Sequence, residues 1–312
     1  MRRVLLLMTF VSVGCDQPVT LDTQDLSERR LAAGVVREDE GVLGRVVVGE
    51  VVLLLTTDRR IVRFDSRDTA SVSIPLEGVR EDEDLTGFGA LADGSLWTLS
   101  GWTTLLRIDS LGRVMNRTEL ARQYTGLHSG FGRLIFQPLD FAGGTPALVT
   151  ILTVDAEAAV PWGTLRVRTG SEAGPIRLGL SLAKCGLAAG GRMPCWLAGD
   201  AAVELINDGG EASKVPLPSL EKFVIDSTAF TSHPHRVIRD AWLTSEELWI
   251  LSRADLDEMP DRRGQHGLWR FSTAGEVIGR YRLPTAARLI LGVAGSEVRL
   301  LTSSGDIVAA EG

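Results

Sequence analysis

Four histidines are the residues of this chain best suited to chemistry near neutral pH: His128 in "YTGLHSGF", His233 and His235 in "TSHPHRVIRD", and His266 in "RADLDEMPDRRGQHG". An imidazole can ligate a metal or move a proton near neutral pH. Two tryptophans beside Gly, Trp102 in "SGWTT" and Trp162 in "VPWGT", are a second candidate set, because large aromatics anchor protein and sugar ligands. No G-x-S-x-G, H-E-x-x-H or Walker loop is present. Pro234 separates His233 from His235, and nothing in the sequence brings His128 or His266 within ligand distance of them. No metal site, cofactor or catalytic residue is therefore assigned. The acidic run Glu81-Asp82-Glu83-Asp84 lacks the alternating oxygen ligands of a calcium loop and reads as a solvated loop.

What positions these residues is a repeat. An apolar phrase recurs with its anchor position at Val52, Trp97, Val149, Trp196, Trp249 and Arg299, at intervals of 45 to 53 residues. Each copy has an apolar stretch and a tight turn before it, and a turn and a strand such as "IVRFDS", "LLRIDS" or "LWRFST" after it. Four short strands per unit, with no helical period, predict an all-β fold of four-stranded propeller blades. Six copies predict six blades over residues 41–312. The last copy stops after its third strand, so the ring is expected to close with a strand from residues 19–40. Trp97, Trp196 and Trp249 stand at the repeat anchor and are expected in the core.

In such a ring the interblade segments and the loops joining second to third strands share the face around the channel mouth. His128, His233 and His235 map to interblade segments. Trp102, Trp162 and His266 map to second-to-third loops. All six form a candidate binding rim, with local packing under the loops as the alternative for the two tryptophans and an ordinary surface place as the alternative for the histidines.

The chain opens Met1-Arg2-Arg3, an apolar run Val4–Val13, then Gly14-Cys15-Asp16. That is a secretory signal pattern, too short to span a membrane. Cys15 after Gly14 resembles the lipobox of bacterial lipoproteins, with Ser12 where a Leu is usual. The resemblance implies a signal over 1–14, a lipidated Cys15 and a tether leading to the closing strand over 15–40. It also implies an exported, membrane-anchored protein facing the periplasm or cell exterior. Cys185 and Cys195 are the other cysteines, and an exported chain suggests that they form a disulfide across a hairpin centred on Gly190-Gly191. Removing residues 1–14 takes the formal charge from −7 to −9, which argues against a nucleic-acid partner.

"DGSLWTLS" followed by "LLRIDSLGRV" is similar to the repeats of NHL-type six-bladed propellers, and residues 40–312 resemble the bacterial six-bladed propeller lipoproteins. The favoured reading is a monomeric binding or scaffolding module acting through its loop face on an envelope protein or a glycan, with a structural role in an envelope complex as a further reading. The alternative is a propeller enzyme, a lyase or hydrolase, with its active site at the channel mouth. Gluconolactonase-type propellers carry a Glu, Asn, Asn, Asp metal set. This chain has only Asn116 and Asn207, which cannot supply it.

Overall fold

A computed structural model describes residues 23–65, 70–138, 148–155, 158–166, 183–197, 200–221, 237–252 and 267–311. Among them every regular element but one helical turn, Pro218–Glu221, is a strand. Against the expected six four-stranded blades, the described residues form five four-stranded sheets and one five-stranded sheet. The extra strand is β1 (Gln24–Asp25), which runs parallel to β22 (Val277–Arg282). Apart from β1, each sheet is antiparallel and most follow the chain, because short turns join neighbouring strands.

The first strands of the sheets are β3 (Val42–Val48), β7 (Leu85–Ala90), β11 (Tyr124–Gly130), β15 (Ala183–Cys185), β19 (Ile238–Leu243) and β23 (Ala287–Ala294). They lie side by side, β3 on β7, β7 on β11, β11 on β15 and β19 on β23, and so wall the channel. Five of them bulge near their start, between Val42 and Gly44, Thr86 and Phe88, Tyr124 and Gly126, Ile238 and Asp240, and Ala287 and Leu289. A bulge re-aims the side chains that follow it. Gly44, Phe88, Asp240 and Leu289 occupy the same place after their bulges, and all four face the channel. Gly44 must be glycine there: a Cβ would lie 2.6 Å from the Phe88 Cβ and 2.7 Å from its nitrogen.

Neighbouring sheets are fastened by a recurring turn between third and fourth strands. Asp109, Asn207 and Ser272 each accept backbone N–H bonds through their side chains, and each turn closes with the N–H of a glycine three residues on. Those glycines, Gly112, Gly210 and Gly275, have φ of 86°, 85° and 91°. A Cβ on any of them would collide with the carbonyl oxygen of Pro75, Trp162 or Pro216 on the preceding sheet. Only glycine combines the left-handed backbone with so close an approach.

The last sheet takes its outer strand from the other end of the chain. β2 (Ser27–Ala32) pairs antiparallel with β25 (Ile307–Glu311). Residues 33–40 are then bound down: Gly34 N–H donates to Asp306 (2.8 Å) and Val36 N–H to the Gly305 carbonyl (3.2 Å). The Arg288 guanidinium donates to the carbonyls of Glu38, Glu40 and Ser303. Glu40 is buried, and burial alone would raise its pKa. Hydrogen bonds from Arg60, Thr56 and the Arg37 backbone, with the charge of Arg60, prevail and hold it at about 2.

Two expectations about the repeat need correction. Val149 lies on the third strand of its sheet, β13 (Leu148–Asp155); the second is β12 (Arg133–Pro138). Both strands are apolar and the β12–β13 connection is long, so the phrase matches one strand late. Trp97 is only half-buried, under the Arg107 guanidinium, whereas Trp196 and Trp249 are fully enclosed. Trp196→Ala is therefore expected to cost about 3 kcal/mol through the cavity it leaves, and Trp97→Ala well under half of that. Urea unfolding of the two variants measures the difference; equal losses would overturn it.

Candidate functional site

The channel holds a cavity of about 600 Å³, counting the part open to solvent, with residues from all six first strands in its wall. Those of β3, β19 and β23 sit towards the starts of their strands, where the interblade segments enter, and those of β11 and β15 towards the ends. One side is apolar, with Val42, Leu43, Phe88 and Leu289; the other presents His128, Ser129 and Lys184.

In the cavity wall an ion pair ties three strands together. Arg45 on β3 meets Asp240 on β19 through both terminal nitrogens (2.6 and 3.3 Å), and each side chain is 6% exposed. Asp240 also accepts the Ile290 N–H of β23 (2.7 Å), and Arg45 donates to the Ile290 carbonyl. The guanidinium lies over the Trp242 ring, 5.2 Å from its centre. Both terminal nitrogens of Arg45 and both carboxylate oxygens of Asp240 thus have partners, as a buried ion pair requires.

His128 stands on β11, in the channel wall, not in an interblade segment as the repeat suggests. Strand β11 begins earlier than the apolar pattern implies and carries the imidazole inward. Burial, with the charges of Lys184 and Arg45, pushes its pKa down to about 4 against an opposing hydrogen bond to the Ala183 backbone. At neutral pH it is an uncharged donor and acceptor.

Trp102 lies on the turn between β8 (Leu96–Ser100) and β9 (Thr104–Ile108), 44% exposed, with φ of 67°. Left-handed backbone is costly for so bulky a residue. Its carbonyl accepts the N–H of Tyr124 at the start of β11 (2.9 Å), which holds the turn against the next sheet. Trp162 is not on the rim. It lies on β14 (Ala158–Arg166), the fourth strand, 9% exposed among Ile135, Met193 and Ile206, and its indole N–H donates to the Asp208 carbonyl (2.9 Å). The Pro-Trp-Gly context looks like a turn; the strand is simply longer than the period predicts. His233, His235, His266 and Cys15 lie outside the described residues.

The acidic run is not wholly solvated either. Glu83 is buried and accepts hydrogen bonds from Arg117, Arg80 and the Arg80 N–H. Among the described residues no cluster of three His, Cys, Asp or Glu side chains could hold a metal.

Cys185 and Cys195 form a disulfide between paired residues of β15 and β16 (Arg192–Leu197), their Cα atoms 4.1 Å apart. Cys185 lines the cavity beside Lys184, so the bridge fixes the strand that carries both. Such a bridge fits an oxidising compartment. Thiol labelling of the unfolded, unreduced protein is expected to find neither cysteine free, and Cys185→Ser with Cys195→Ser to lower stability by about 2–3 kcal/mol. No helix among the described residues is long and apolar enough to cross a membrane.

Arg45, Lys184 and Asp240 are not among the residues that the sequence singles out. The available signal is a charge inside each inner-strand phrase, in "LGRVVV", "AKCGL" and "VIRDAWL", where a surface residue would break the apolar run.

No family model and no curated protein matches the chain. Among solved structures it is similar to a streptogramin B lyase (TM-score 0.51, 13% identity), covering 86% of this chain and 78% of that one. It also aligns with a selenomethionine-substituted virginiamycin B lyase from Staphylococcus aureus (TM-score 0.48, 12% identity), covering 92% of this chain and 99% of that one. At such identities the first likeness speaks for the fold alone. The chain is an all-β propeller of four-stranded blades.

Proposed function

We propose that this protein is an exported, lipid-anchored propeller that binds a small ligand in its channel, within a loop face that includes Trp102. We count its blades as six, taking the five-stranded sheet as one blade extended by β1, and take the module as monomeric. The carrying observation is the two-sided cavity, apolar on one wall and hydrogen-bonding on the other, a combination common to ligand sites. Its ionisable groups suit holding better than proton transfer: Asp240 is locked to Arg45, and a histidine with a pKa of about 4 is a weak base at pH 7. Leu289→Trp should fill the cavity. Ligand-observed NMR of a fragment library is expected to give hits with the native protein that this variant loses. Hits that survive the filling, or no hits at all, would overturn channel binding.

Export and anchoring rest on the signal pattern before Cys15 and on the disulfide. In a host that processes lipoproteins, Cys15→Ala is expected to shift the protein from the membrane to the soluble exported fraction. Retention of the variant on the membrane would count against lipidation.

A second reading is a lyase with its active site at the channel mouth, favoured by the shared fold with a streptogramin B lyase. Consumption of a streptogramin B by the purified protein, abolished by Leu289→Trp, would establish it.

A further inference from the structure

We infer that the outer edge of the five-stranded sheet, around Ile278, rests against the lipid bilayer, so that the ring stands on edge and its channel mouth opens to the aqueous side. The inference rests on the lipid-anchor reading and adds the surface that meets the membrane. The chain joins the ring at its rim. Gln24 and Asp25 pair with Tyr281 and Arg282, the Leu26 N–H donates to the Arg282 carbonyl (3.3 Å), and Asp25 meets the Arg282 guanidinium (3.3 Å). Because the pairing is parallel, the chain reaches Gln24 from the end of β22 where Ile278 stands. Ile278 is the bulged residue of β22, left out of the ladder between Val277 and Gly279, and it is 40% exposed. An isoleucine in water costs free energy that the interface region of a bilayer relieves.

Reach and charge exclude the other orientations. Eight residues separate Cys15 from Gln24, a span of about 30 Å at full extension. A folded chain of this size is about 50 Å across, so the rim opposite β22 cannot meet the bilayer that holds Cys15. Turning the channel mouth to the membrane is opposed by charge. The segments leading into β3 and β7, with the turn after β4 (Val51–Thr56), expose Glu38, Asp39, Asp58, Glu81, Asp82 and Asp84. Anionic headgroups repel such a face.

The test compares two equivalent positions. Met115 is the bulged residue of β10 (Val114–Glu119), also a fourth strand, and is exposed as Ile278 is. Its sheet is the second along the chain and that of β22 the fifth of six, so the two residues stand across the ring from each other. Ile278→Cys and Met115→Cys, each in the full chain matured by a lipoprotein-processing host, are labelled with a fluorescent maleimide without reduction. They are then reconstituted on phosphatidylcholine–phosphatidylglycerol vesicles that carry a nitroxide quencher on a lipid headgroup. The probe at 278 is expected to be quenched about threefold or more strongly than the probe at 115, which lies beyond the reach of the tether. Native melting curves of both labelled proteins exclude misfolding as the cause. Equal quenching, as either flat orientation of the ring would give, or stronger quenching at 115 overturns the inference and leaves the anchor standing. Failure of the matured protein to bind vesicles overturns the anchor and the inference with it.

Discussion

Gly305→Ala is expected to destabilise the protein by about 4–5 kcal/mol, a loss reserved for substitutions that break a defined structural device. Gly305 has φ of 83°, and a Cβ on it would stand 1.6 Å from the Val36 carbonyl oxygen. Backbone resists backbone here, so neither side can yield as a flexible side-chain tip would. The only relief is to push residues 33–40 off the last sheet, and with them go the Val36 N–H bond to Gly305 and the Arg288 bonds to Glu38 and Glu40. Gly295→Ala is the control. It too has a left-handed backbone (φ 61°), but nothing lies within 4 Å of its Cβ position, so it should lose only about 1–2 kcal/mol. Chemical denaturation measures both, and limited proteolysis of the Gly305 variant should cut first near residues 33–40. Equal losses in the two variants would mean that the closure relaxes around the new methyl group.

That closure is legible in the amino-acid sequence, because the copy around Arg299 runs short of a strand and "SERRLA" stands near the other end. The fold is legible for the same reason the repeat is: strands at one interval, punctuated by glycine turns, leave few other architectures. The sequence misleads where the period breaks. The sheet holding β11 to β14 has a long connection between its second and third strands, so Val149 aligns with the wrong strand and Trp162 with a loop that is a strand. Strand β1 joins in parallel through only two residue pairs, too few to leave a pattern.

The site is much less legible. Loops rich in chemistry-bearing residues direct attention to histidines and tryptophans on the rim, and only Trp102 is described there. The cavity is made by first strands, whose bulges decide which residue faces inward, and no alternation of apolar and polar residues announces a bulge. Arg45 and Asp240 are 195 positions apart, and their pairing depends on the ring bringing β3 beside β19 and β23. His128 stands out for its chemistry but sits one element away from its expected place, since "YTGLHSG" has too much glycine to read as a strand.

The Arg45–Asp240 pair gives the second large effect. Asp240→Ala is expected to cost about 3–5 kcal/mol, because it strands a buried guanidinium and the Ile290 N–H at once. Asp240→Asn should cost less: the amide oxygen can still accept from Ile290 or Arg45, and only the charge balance is lost. Arg45→Met combined with Asp240→Leu should recover much of the single-variant loss, since apolar residues of similar size leave no charge to desolvate. A double-mutant cycle on urea unfolding therefore predicts a strongly favourable coupling between two positions that touch only inside the channel. Near-additive losses, or an Asp240→Ala cost below about 1 kcal/mol, would show that water reaches the guanidinium and relieves it.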